Sequence, residues 1–190
     1  MASPVFHGLA GAGLAYAMAG DGSLPLFSWA RKNLGLLAAA AGLACLPDAD
    51  YLPGLWRGAL NAVHQQATHS LAWAGAMAAG LWLAGRAWRP TQFVGRALGY
   101  ILLLATSHLA IDLVTADGSA PYGIPLWAPL SDVRVQAPVA LLPAWDKATL
   151  SELWSGNNAR PLAIELGAGL AFAAGCIWAK RGWTRRKAAL

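Results

Sequence analysis

Five long apolar runs divide this chain, separated by short polar or proline-rich breaks. They cover Val5 to Gly20, Asn33 to Leu46, the stretch from about His64 to Trp88, Gly95 to Val114, and Pro161 to Ala179. A helix needs about 20 apolar residues to cross a hydrocarbon core roughly 30 Å thick, and the fourth run has that length. The second run, about 14 residues long, makes roughly 21 Å of helix. It therefore either starts nearer Phe27 or stops inside the bilayer, and Pro47 is expected to end it. Between 115 and 160 the chain is too polar and proline-rich to insert, with Pro121, Pro125, Pro129, Pro138 and Pro143. It reads as an ordered cap loop carrying a short amphipathic helix near Lys147 to Trp154. The pattern predicts an all-α, multi-pass membrane bundle of about five transmembrane helices. It forms one domain over 1–190, with a basic tail over 180–190.

Composition agrees. With 57% hydrophobic and 12% charged residues the chain lies outside the range of soluble domains. Cys45 and Cys176 sit in separate apolar runs and suggest neither a disulfide nor a thiolate metal site. The net charge of +5 does not build a nucleic-acid stripe, because the basic residues gather at the ends of apolar runs. The first run lacks a positive leading region and is expected to be a retained helix. Gly8, Gly11, Gly13 and Gly20 make it smooth enough for close packing. Trp29, Trp56, Trp88, Trp127 and Trp178 are expected as interfacial anchors.

Placing the basic tail in the cytoplasm puts Arg31, Lys32, Arg86, Arg89 and Arg96 inside with it, the arrangement favoured by positive charge. Seven other polar residues then fall together on the extracytoplasmic side. His7 opens the first run, Asp48 and Asp50 follow the second, His64 and His69 open the third, and His108 and Asp112 close the fourth. On a helix His108 and Asp112 lie one turn apart and point the same way. Ionisable groups at membrane depth are costly and mark function. Four histidines with three aspartates form a ligand set for one or two divalent ions, zinc first, with manganese and iron as further options. Such a centre activates water for displacement at phosphorus or at an acyl carbon. Asp50 or Asp112 is the candidate general base, and Arg134 the candidate holder of an anionic group. Thr68 or Ser70 is expected to cap the third helix or to orient a ligand. Asp117, Asp132 and Asp146 are assigned no role.

The motifs Pro47-Asp-Ala-Asp50, His64-x4-Thr-His-Ser70 and His108-Leu-x-x-Asp112-x-x-Thr115-x-x-Gly118, read together from His7 to about Arg134, resemble the LexA-regulated, membrane-bound metal-dependent hydrolases, the YdjM-like family. Members commonly carry Thr-His where this chain has Phe6-His7, and His-Arg where it has His64-Gln65. Arg57 or Arg134 is the substitute for that missing arginine. The resemblance implies a multi-pass inner-membrane protein of hydrolase activity with the seven residues in its metal site. The substrate expected from an interfacial site is a phosphoester of a lipid or lipid-linked molecule. The rival readings are a transporter with an intramembrane metal or proton site, and a non-catalytic membrane protein with a structural metal. A transporter would normally place its charges on broken helices in paired repeats, and neither is seen.

Overall fold

A computed structural model describes residues 1–58, 64–118 and 120–189. Helix makes up 67% of the structure, and strands are absent among the described residues. The helices are α1 (Pro4–Ala19), α2 (Leu26–Lys32), α3 (Leu34–Cys45), α4 (Tyr51–Trp56), α5 (Leu71–Trp88), α6 (Gly95–Leu113), the single turn α7 (Leu150–Leu153) and α8 (Ala159–Ala188). α1 is the hub: it packs along α3, α6 and α8, and α6 also packs on α3 and α5.

Small residues fill the interior. Ala10, Ala15, Ala40, Ala44, Ala74, Ala78 and Ala105 are buried, while Leu34, Leu83, Leu103, Leu170 and Phe172 face outward. A soluble bundle would bury the large side chains. Here lipid solvates them, and helices associate through close backbone approach. A Cβ on Gly11 would lie 2.6 Å from the Ala40 carbonyl oxygen, and one on Gly13 would lie 2.9 Å from Ala173 Cα. Gly8, by contrast, has room for a methyl group, its nearest neighbour being Ala41 Cβ at 3.7 Å.

Among the described residues three stretches are long and apolar enough to cross a membrane: Leu34–Trp56, Gly95–Leu113 and Gly156–Ala188. The 16 residues of α1 make only about 24 Å of helix, short of a full crossing by that measure. Pro47 follows the end of α3, as expected, but the winding of the backbone does not stop there. The α-helix closes at Cys45, and the backbone winds on as a 3-10 turn, Leu46–Asp50, directly into α4. Proline at the start of that turn costs little, since an N–H there has no intrahelical partner. The loop expected over 51–62 is therefore helical to Trp56, and 59–63 lie outside the described residues. The basic tail is likewise a continuation of α8 to Ala188.

Residues 114–118 and 120–149 are irregular but well tied down. Ala137 N donates to Leu113 O, Leu141 N and Leu142 N to Val114 O, Ala116 N to Leu142 O, and Leu71 N to Leu126 O. The helix expected near 147–154 is the single turn Leu150–Leu153, closed by a capping box between Thr149 and Glu152. Trp56, Trp88, Trp127 and Trp178 are exposed, as interfacial anchors are. Trp29 is not: it is buried edge-on against Tyr16, ring centres 4.9 Å apart, and packs inside the bundle.

Candidate metal centre

All seven histidines and aspartates singled out in the sequence meet at one end of the bundle. His7 comes from the first turns of α1, Asp48 and Asp50 from the 3-10 turn after α3, and His64 and His69 from the approach to α5. His108 and Asp112 come from the last turns of α6. Ser70 caps α5, its Oγ accepting from Trp73 N at 3.1 Å, worth about 1 kcal/mol. That fixes the direction in which the preceding His69 enters the centre.

Hydrogen bonds on the outer sides of three imidazoles set their orientation. His108 Nδ1 lies 2.7 Å from the Ala44 carbonyl oxygen, which can only accept, so Nδ1 carries the proton. His64 Nδ1 lies 2.7 Å from Asp50 Oδ1. Thr68 Oγ1 donates to Asp50 Oδ2 at 2.6 Å and, with its own hydrogen spent, accepts from His69 Nδ1 at 3.0 Å. Asp50 thus holds two histidines by their backs. In the neutral form of all three rings Nε2 bears the lone pair.

Those nitrogens and two carboxylates face one another. His69 Nε2 lies 3.3 Å from His108 Nε2 and 3.5 Å from Asp48 Oδ1. His108 Nε2 lies 3.5 Å from Asp48 Oδ1 and 3.0 Å from Asp112 Oδ2, which is 3.6 Å from His69 Nε2. Four donors arranged tetrahedrally at zinc-like bond lengths of about 2.0–2.1 Å stand roughly 3.3–3.4 Å apart. The five separations given above, 3.0–3.6 Å, bracket that edge. Two lone pairs 3.3 Å apart beside two carboxylates repel unless a cation, a shared proton or a metal ion, sits among them.

His7 and His64 flank this set. His7 stacks on His108 with ring centres 3.7 Å apart, and its Nε2 is 3.3 Å from Asp112 Oδ1. His64 Nε2 is 3.9 Å from Asp48 Oδ1. Both His7 nitrogens, His64 Nε2, Asp48 Oδ2 and Asp112 Oδ2 are buried without a hydrogen-bond partner. Orphaned buried polar atoms are rare, and five in one place fit a centre built for one or two ions. Burial lowers the His64 pKa to about 4, which keeps that imidazole neutral. Burial also opposes charge on His69, but its contacts with Asp48 and Asp50 outweigh this and raise its pKa. The carboxylates draw positive charge into the centre.

Arg134 donates to backbone through two of its five N–H groups. Its Nε donates to Gly123 O at 3.0 Å and its Nη2 to Gln65 O at 2.8 Å. Gln65 has φ +61°, a left-handed conformation that costs a non-glycine residue about 1 kcal/mol or more, and Arg134 helps to hold it. Arg57 is exposed. Two residues given no role in the sequence reading lie beside the centre. Glu165, fully buried in α8, accepts from Ser3 N at 2.8 Å, from Ser3 Oγ and from Trp145 Nε1 at 2.7 Å. Lys147 donates to the Tyr51 hydroxyl, and the Tyr51 ring stacks on His64 with centres 3.5 Å apart. Glu165 was open to discovery as a lone carboxylate inside an apolar run. Lys147, in a polar stretch, had no such contrast.

No curated protein and no solved structure matches this chain. The family described as YdjM inner membrane protein matches it over residues 1–184, well beyond the region carrying the three motifs. The chain is a membrane protein that belongs to the YdjM inner membrane protein family.

Proposed function

We propose that this protein is a membrane-embedded metal-dependent hydrolase acting on a phosphoester of a lipid or lipid-linked substrate. The observation that carries the reading is the pair of inward-facing Nε2 lone pairs on His69 and His108, 3.3 Å apart between Asp48 and Asp112. Those four residues would hold the principal ion, and His7 and His64 would complete the centre or hold a second. A bound divalent ion supplies Lewis acidity toward an ester oxygen and makes water acidic enough to attack near neutral pH.

The chain's own groups do the rest. Asp50, with Oδ1 engaged by His64 and Oδ2 by Thr68, orients both imidazoles and is better placed as support than as base. Asp48 Oδ2 and Asp112 Oδ2 both lack a hydrogen-bond partner, and either carboxylate is the candidate to take a proton. Arg134 keeps the turn bearing His64 and His69 closed against the cap. A lipid substrate is favoured by a crevice lined only by α1, α3, α6 and Phe93, among them Leu43, Tyr100 and Leu104. Leu104 lies one turn from His108, so a chain lying in the crevice would bring its head toward the centre. The basic end of α8 lies away from the centre, with Lys180 and Arg181 near the carbonyls of Met18 and Leu24. With that end in the cytoplasm, the centre faces the extracytoplasmic side.

The test is metal content and ester turnover of detergent-purified protein, comparing wild type with His69→Ala and Asp112→Ala. Wild type is expected to carry metal and to cleave phosphomonoesters or phosphodiesters, and both variants to lose metal and turnover. Negligible metal in all three refutes the reading. Metal without turnover of any ester reduces it to a structural site.

A further inference from the structure

We infer that Lys147 and Tyr51 form an anion-binding arm beside the metal centre, recognising the phosphoryl group of the substrate. The inference rests on the reading above for its location and on separate observations for its chemistry. The Lys147 ammonium donates one hydrogen to the Tyr51 hydroxyl and lies 5.0 Å from the centre of that ring. Two ammonium hydrogens and the phenolic hydrogen remain to be donated. Among the described residues no ion pair to a carboxylate is formed by Lys147, although Asp48, Asp112, Asp117 and Glu165 lie within electrostatic reach. A partly buried cation held near an acidic centre without an ion pair has unspent charge. An anion completes it.

The lysine is also placed with unusual firmness for a residue in an irregular segment. Its neighbours are fixed on both sides. Trp145 Nε1 donates to Glu165 Oε1 at 2.7 Å, Asp146 N donates to Asn158 Oδ1 at 2.9 Å, and Ala148 N donates to Glu152 Oε2 at 2.9 Å. Asn158 returns the bond, its Nδ2 donating to Asp146 O at 2.7 Å. The backbone that carries Lys147 is thereby clamped to α7 and α8, and the side chain reaches from there to α4. On the far side, Tyr51 stacks on His64, whose Nε2 is 3.9 Å from Asp48 Oδ1. One ring separates the arm from the metal-facing donors. An oxyanion bound across the arm and the centre would be gripped at two points, and such prearranged donors cost no reordering when it arrives.

Two sources offer this chemistry, a free phosphate and the phosphate of a lipid head group. Metal-loaded, detergent-purified full chain is titrated calorimetrically with inorganic phosphate and, separately, with dihexanoyl phosphatidic acid. The proteins are wild type, Lys147→Met, Lys147→Arg and Tyr51→Phe, with bound metal measured in each. Lys147→Met is expected to weaken binding roughly tenfold to a hundredfold with metal content unchanged. Tyr51→Phe should weaken it about fivefold, and Lys147→Arg should stay close to wild type. Tighter binding of phosphatidic acid than of phosphate identifies a lipid as the source, and the reverse identifies the free anion. Wild-type affinity in Lys147→Met, or no binding of either probe by wild type, overturns the inference. If Lys147→Met does not fold, unchanged affinity in Tyr51→Phe overturns it. Lys147-dependent binding without turnover of any ester would leave the arm standing and remove the hydrolase reading alone.

Discussion

Gly11→Ala tests whether helix packing and the metal centre are one system. The added Cβ would lie 2.6 Å from Ala40 O and 2.8 Å from Ala44 Cβ, both on α3, where ordinary contact begins at 3.4 Å. Backbone carries the closer contact, so no flexible side chain can absorb it, and α3 must retreat from α1 by about 0.8 Å locally. Ala44 O is the acceptor that holds His108 Nδ1 at 2.7 Å. The same retreat stretches that bond to about 3.5 Å, past the useful range for N–H to O. His108 then loses its fixed tautomer and orientation. Loss of such an outer partner lowers metal affinity by about 10- to 100-fold, and overpacking destabilises the fold by about 1–3 kcal/mol. The control is Gly42→Ala on α3, where a Cβ meets nothing within 4 Å and helix propensity alone changes. Metal content after equilibration against buffered zinc, with thermal unfolding in the same detergent, reads both effects. A Gly11→Ala protein that is destabilised yet keeps wild-type metal affinity would refute the coupling.

Three further outcomes are expected. Asp50→Asn should weaken metal binding by about 10- to 100-fold without abolishing it, because Asp50 acts on the backs of His64 and His69; a loss as complete as in Asp112→Ala would make Asp50 a ligand. Metal loading near pH 7 should release protons, and affinity should fall as pH falls. The reason is that Asp48 and Asp50, overriding burial, raise the His69 pKa, so the ion must displace a proton that binds more tightly as the solution becomes more acid. Calorimetry in two buffers of different ionisation enthalpy checks this, and identical apparent enthalpies would contradict it. Glu165→Leu strands the Ser3 and Trp145 donors and should cost about 2–4 kcal/mol, with proteolysis between 138 and 158 rising; Glu165→Gln, which keeps an acceptor, should cost less. Equal resistance of Glu165→Leu and wild type to cleavage would refute that anchoring role.

The site was legible in the sequence because polar residues stand out against apolar runs. His108 and Asp112 needed only the four-residue spacing of a helix, and that spacing holds in α6. Asp48 and Asp50 could not be told apart. Their division of labour follows from the 3-10 turn that sends one carboxylate toward His108 and the other behind His64 and His69. A proline read as a stop gave no hint that the turn would run on into α4 and bring Tyr51 against His64. Trp29 was misplaced for a related reason. Tryptophan near a run's end is enriched at interfaces, but the fold of the α1–α2 connection offered it the Tyr16 ring instead. The rule that flagged His108 applies equally to Glu165.

The irregular residues 114–118 and 120–149 help to build the candidate centre, which explains why they escape a reading confined to the apolar runs. The turn that carries His64 and His69 has few bonds to the bundle. Its Gln65 carbonyl is held by Arg134, the Gln65 side chain donates to Asp117 Oδ2 at 3.0 Å, and Leu71 N donates to Leu126 O at 3.0 Å. Asp117, Leu126 and Arg134 therefore have to be in place before two of the four imidazoles face inward. Fixing a left-handed Gln65 and bringing in the 114–149 segment both cost free energy, and the gain comes only when the inward lone pairs meet a cation. Metal binding and cap closure are on this argument a single equilibrium. An Arg134→Ala chain should then bind metal more weakly although Arg134 touches none of the donors, and added metal should protect its cap from proteolysis at concentrations above those that suffice for wild type.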